Sequence, residues 1–332
     1  MTDTTAARTP DDVVPHHPVR EALTGSVASI AFTFAAVVLV GLLWAGPKFV
    51  SFGNISIMGT FLIVPLIVGA CSGFALLAGV VDLSIGSMVG FSSALFALLL
   101  TSGWDVWLAG AATVAVCLGM GAITALAVVG FGADAIAATL GMLTALRGLT
   151  WFLVGGQAIF AFHPGLFAVV NQQVFGLPLF FLLAIVLTLI AAYVTTKTRL
   201  GRHVKAVGGD ERAAARAGIS VKGIRTFALL LSALGAALGG IILVGQLGSA
   251  ALATGTGLEF QVYAALMIGG YSILRGGVGN PIGGALGLLA VAGVANILEL
   301  KAISPYFVNI IVGLLLLAAV LLDRLRGGDA YE

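Results

Sequence analysis

Charge is scarce in this chain. Only 9% of its 332 residues are Asp, Glu, Lys or Arg, against about a quarter in an ordinary soluble domain, so a surface that faces water all round is excluded. Cysteine is nearly absent too. Cys71 and Cys117 stand singly within apolar runs, without zinc-site spacing or the density of a disulfide framework, and read as small core residues. Histidine numbers four, and His16 and His17 share a polar stretch with no further ligand beside them, so they read as solvated tail residues rather than a metal site. No polar stretch exceeds about 30 residues, and none carries the glycine-rich loop with its lysine and serine or threonine that cradles nucleotide phosphates. The chain is therefore not expected to be an enzyme, to hydrolyse nucleotide, or to carry a cofactor or metal of its own. Its net charge of +2 sits in particular loops rather than across a binding face, which argues against a nucleic-acid partner.

What is present is apolar surface. The chain is 60% hydrophobic, with a mean hydropathy of +1.13 and 46 glycines. Glycine weakens soluble helices but suits membrane helices, where small residues let backbones approach closely. The expected fold is all-α and polytopic, with about ten spans of the length that crosses a hydrocarbon core. They run approximately over 26–45, 57–78, 84–101, 106–130, 136–154, 178–195, 226–247, 260–274, 282–298 and 305–322. Residues 1–25 lack the apolar core of a cleavable leader and read as a cytoplasmic tail. Residues 26–323 form the membrane domain, and 324–332 a second cytoplasmic tail.

The distribution of Lys and Arg sets the orientation, because short cytoplasmic loops collect them. With both termini inside, Lys48 and Lys301 alone fall outside and Arg147 alone falls within a span. The two long connections then lie on opposite sides. Residues 155–177 are aromatic and almost uncharged, and fall outside, against the membrane surface or a docking partner. Residues 196–225 hold half of the 16 Lys and Arg and fall inside. Anchoring to anionic lipid is one reading of that loop. Its internal pattern supports another, a mechanical coupling element: Gly208 and Gly209 break the preceding structure, Asp210 caps a short helix, Glu211 complements the helix N-terminus, and Gly218 ends it.

Two features lie within the apolar runs. In AGVVDLSIGS, Asp82 is followed by Leu83, Ser84 and Gly86. A carboxylate there costs about 2.5–3.5 kcal/mol on insertion scales, so it either caps an interrupted span or lines a hydrated path. The cap is the more economical reading, with the amides of Ser84 or Ile85 as donors. Arg147 either snorkels to the outer interface or is buried against a partner from another helix, since Asp134 is too far along its own. Glu259, Glu299 and Lys301 are expected at outer span ends, at the interface. The glycines and Pro281 of GGYSILRGGVGNPIGGALG read as a sharp cytoplasmic turn with tight packing after it.

The chain resembles the membrane permeases of bacterial ATP-binding-cassette importers of the ribose and monosaccharide class. AGVVDLSIGS, ATLGMLTALRGLTWFLVGG, AVGGDERAAARAGI, GTGLEFQVYAALMIGGYS and SPYFVNIIVGLLLLAAVLLD carry the resemblance, collinear from about Phe49 to Asp323. It implies a type II importer permease in the bacterial inner membrane, used as a homo- or heterodimer. Cytoplasmic ATPase subunits would bind the ATP, and an extracytoplasmic solute-binding protein would deliver a sugar or related polyol. It assigns Gly209, Asp210, Glu211, Ala214 and Gly218 to the ATPase-coupling motif, and Asp82, Leu83, Ser84 and Gly86 to a motif near the translocation path. Asp210 stands where the family usually has asparagine. An ion-coupled secondary transporter is the alternative, and would place ionisable residues at the membrane midplane.

Overall fold

The computed structural model describes residues 26–327, so the expected tails at 1–25 and 328–332 lie outside the described residues. Long apolar runs fold into helices because in lipid each backbone polar group must be satisfied within its own segment. The helices are α1 (Ser26–Trp44), α2 (Phe52–Leu77), α3 (Ile85–Thr101), α4 (Val106–Ala125, continued by a π turn at Leu126–Gly130), α5 (Ala135–Val154), α6 (Pro164–Val170), α7 (Leu179–Lys197), α8 (Arg199–Gly209), α9 (Glu211–Arg216), α10 (Val221–Leu247), α11 (Leu258–Ile268), α12 (Pro281–Leu300) and α13 (Pro305–Gly327). The only described strands are two-residue pairs: β1 (Ile159–Phe160) lies antiparallel to β4 (Ser249–Ala250), and β2 (Gln173–Val174) to β3 (Leu177–Pro178).

Each of the ten apolar runs meets a helix, and six of these helices are long and apolar enough to cross a membrane: α2, α4 with its π turn, α5, α7, α10 and α12. The run at 260–274 is not one helix. Its helix α11 ends at Ile268, because Gly269 and Gly270 turn the chain and Gly270 takes a φ of +88°. Eleven residues rise only about 16 Å, half of a hydrocarbon core.

The core is organised on α2, 89% of whose most apolar stretch is buried. It packs against α10, α12 and α7, while α10 also holds α3 and α4, and α3 meets α5. Small residues permit the close approach: a Cβ on Gly235 would collide with Cys71, and one on Gly240 with Ser92 and the carbonyl of Val89. Both cysteines are free and buried. Buried amides tie α2 to α12, where Asn54 and Asn296 each donate to the other at 2.7 and 3.0 Å. In contrast, only 17% of the corresponding stretch of α5 is buried.

The 155–177 connection packs on the protein. Val170 fills the space over Gly245, the Asn171 amide donates to the Gly245 carbonyl at 3.3 Å, and β1 pairs with β4 beyond the end of α10. Phe160 and Phe175 remain exposed.

Candidate functional site

At the start of α3 the chain leaves α2 through Gly79, which has a φ of +73°, and passes through Asp82 before helix resumes at Ile85. Asp82 is buried. Its Oδ1 accepts from the Ser84 amide at 3.1 Å and the Ser84 hydroxyl at 2.6 Å, and its Oδ2 accepts from the Ser232 hydroxyl of α10 at 2.6 Å. The Tyr263 hydroxyl of α11 donates to the Asp82 carbonyl at 2.8 Å and accepts from its amide at 3.1 Å. Asp82 thus ties an interrupted span to two other helices, through its carboxyl group to α10 and through its backbone to α11, and both carboxyl oxygens have hydrogen-bond partners. Leu83 packs at the edge of the main apolar core.

Gly86 and Gly90, one turn apart on α3, open a notch. A Cβ on Gly86 would collide with Glu259 Oε2 and the Gly255 carbonyl, and one on Gly90 with the Thr254 carbonyl, with Arg147 Nη1 3.5 Å away. Arg147, from α5, is half-buried here and donates to the Thr254 carbonyl at 3.0 Å. Its hydrogen-bond partner therefore comes from the turn before α11, and Glu259 of α11 lies in the same notch. Glu259 corrects an expectation. It is only 4% exposed rather than interfacial, because the turn at Thr254–Gly257 carries the start of α11 inward against the glycine notch of α3. Glu299 and Lys301 are exposed at the end of α12.

The second constellation is separate. Thr198 caps α8 through the Gly201 amide at 3.3 Å. That helix ends at Gly209, and Gly208 serves close approach: a Cβ there would strike the Leu77 carbonyl at the end of α2 and the Gly277 amide. The Gly277 amide itself donates to the Leu77 carbonyl at 2.9 Å, so the glycine-rich turn before α12 and the end of α8 pack together beneath α2. Asp210 caps α9, accepting from the Ala213 amide at 2.9 Å. That bond, with the nearby Arg216 and Arg212 charges, holds the exposed Asp210 carboxyl below the usual aspartate range. Glu211 pairs with Arg225 at the root of α10 at 2.9 Å, and Ala214 is buried. Gly218, with a φ of +79°, ends the helix as the amides of Gly218 and Ile219 close back on Ala215 and Ala214. Gly209, Asp210 and Glu211 are left on one exposed surface.

Sequence reasoning missed the Asn54–Asn296 pair and the partners of Asp82 from α10 and α11. Their only sequence signal is a polar residue inside an apolar run. A cavity of about 1080 Å³ between α4, α6, α7 and α10 is lined almost wholly by apolar side chains such as Val114, Leu118, Leu183 and Leu187, which suits hydrocarbon rather than a hydroxylated solute.

Comparison with known proteins matches residues 54–320 to a family described as branched-chain amino acid transport system / permease component. The chain is 30% identical to the L-arabinose transport system permease protein AraH of Escherichia coli (strain K12), over 84% of this chain and 85% of that one. It is 30% identical to the ribose import permease protein RbsC of Haemophilus influenzae over 88% and 92%, and 31% identical to the D-allose transport system permease protein AlsC of Escherichia coli (strain K12) over 79% and 80%. No solved structure matches.

Proposed function

The chain belongs to the permease-component family of these transport systems, and from that premise we propose that it is the membrane subunit of an ATP-binding-cassette importer carrying a monosaccharide or related polyol inward. The sugars named for AraH, RbsC and AlsC support the cargo class. The observation that carries the mechanism is the α8–α9 element. It is a capped helical corner with Gly209, Asp210 and Glu211 exposed, tied at Gly208 to the end of the central helix α2 and by Glu211–Arg225 to α10. A push on that corner from a cytoplasmic ATPase would reach both helices directly.

The same reading gives the chain about ten spans with both termini cytoplasmic, a place in the bacterial inner membrane, a second permease copy, and an extracytoplasmic binding protein that delivers the solute. Asp82, Leu83, Ser84 and Gly86 act beside the solute path by holding the interrupted α2–α3 junction rigid, and membrane lipid fills the apolar recess between α4 and α7.

Co-purification tests the mechanism. An ATPase subunit is expected to come down with the full chain from native membranes and to be lost when Gly209 and Glu211 are replaced. Uptake that persists without an ATPase and collapses with an ionophore would overturn the reading.

A further inference from the structure

Arg147 lies about 10 Å of helix rise from the nearer end of α5, yet part of it stays open on the least buried of the six long helices. A guanidinium at that depth is not left facing lipid. It is held from behind: Thr254 takes one donor at 3.0 Å, and the notch at Gly86 and Gly90 seats both charged groups against α3. Glu259 is 4% exposed and its Oε2 has no hydrogen-bond partner, which leaves that oxygen in the same glycine notch as the guanidinium. At 100° per residue, Thr144 and Trp151 fall within about 60° of Arg147 around α5 and Gly148 beside them, and all three are exposed. The other flank carries Met142, Leu149 and Leu153.

We propose that the Arg147 flank of α5 lines the hydrated solute path, that Arg147 hydrogen-bonds hydroxyl groups of the passing solute, and that Glu259 is its positioning residue. Beside the exposed apolar Ile136 and Leu140, that flank offers the chemistry of a polyhydroxyl contact: guanidinium donors, a hydroxyl that donates and accepts, and an indole face for the C–H side of a sugar ring. The contact with solute rests on the sugar-importer reading; the hydration of the flank does not.

The test uses the full chain in its native membrane with both native cysteines replaced by alanine. Single cysteines are introduced by T144C and G148C on the Arg147 flank, and by L149C and L153C on the other. The probe is a membrane-impermeant thiosulfonate, which reacts with the thiolate and so requires water. Labelling is expected to be about tenfold or more faster on the Arg147 flank, and equal rates on the two flanks overturn the proposal. D-ribose, L-arabinose and D-allose are then tried, retaining those whose uptake is lost when the chain is deleted. A retained sugar is expected to slow labelling of T144C, R147Q and E259Q to weaken that protection about tenfold, and R147K to restore part of it. Protection that is absent, or unchanged in R147Q, overturns the solute contact; protection lost in R147Q but intact in E259Q removes Glu259 from the site. If uptake of none of the three sugars depends on the chain, the cargo reading fails, and the labelling contrast still decides the flank.

Discussion

Two adjacent glycines show how little a residue type says without its surroundings. Both Gly208 and Gly209 read as helix breakers, and α8 ends at Gly209, but the two differ in what surrounds them. A Cβ on Gly208 meets backbone atoms of Leu77 and Gly277, which cannot swing aside, whereas one on Gly209 meets nothing within 4 Å. Gly208→Ala is therefore expected to destabilise the protein by about 1–3 kcal/mol. Gly209→Ala is expected to leave stability unchanged or to raise it by up to about 1 kcal/mol. Thermal unfolding in detergent compares the two directly. Asp210 gives a second case at this scale. Its carboxyl is held low by the Ala213 amide and the Arg216 and Arg212 charges, so the stability it lends to α9 is present above the ordinary aspartate range and lost as pH falls through the depressed value. Protection of residues 211–216 from hydrogen exchange, taken relative to the intrinsic rate at each pH, is expected to stay constant from neutral pH down to about pH 4 and to fall below it. Asp210→Ala raises exchange at every pH, while Asp210→Asn, which still accepts the Ala213 bond, removes the pH dependence and keeps the protection.

Between elements, polar pairs inside apolar helices do the locating. Asn54 and Asn296 join α2 to α12 through two mutual hydrogen bonds. Replacing only Asn296 with Leu leaves a buried amide short of its partner and is expected to cost about 1–3 kcal/mol, and replacing both recovers much of the loss. A double-mutant cycle on unfolding temperature reads the difference. None of this pairing is legible in the sequence, because the two asparagines are far apart along the chain and each alone looks like an isolated polar residue in a span. The caps were legible. Asp210 and Gly218 act within a few residues of themselves, where local chemistry decides. Glu259 was misplaced for the opposite reason: it begins an apolar run, and only the inward turn before α11 takes it from the interface to the notch of α3.

For the molecule as a whole, the proposed placement of both termini on the cytoplasmic side, with about ten spans, rests on the lysine and arginine distribution. Reporter fusions check it. Green fluorescent protein is expected to fluoresce when joined after residue 332 or within 196–225, and alkaline phosphatase to be active only within 155–177. The reverse pattern would mean an inverted orientation, and residue 332 on the opposite side from 196–225 would mean an odd number of crossings between them.

Composition pointed to a membrane chain, because 60% apolar residues and 9% charged ones leave no other solvent for most of its surface, and the length of its apolar runs pointed to helices. The order of its spans and the capped polar corner at 196–225 were likewise written locally, in hydropathy and in turn chemistry. Tertiary structure decided which helix is central, why Gly86 and Gly208 must be glycine, and which groups answer Asp82 and Arg147. Those are contacts between segments distant in sequence. Their energies depend on three-dimensional proximity in a medium of low dielectric, and no local pattern of residues encodes that proximity.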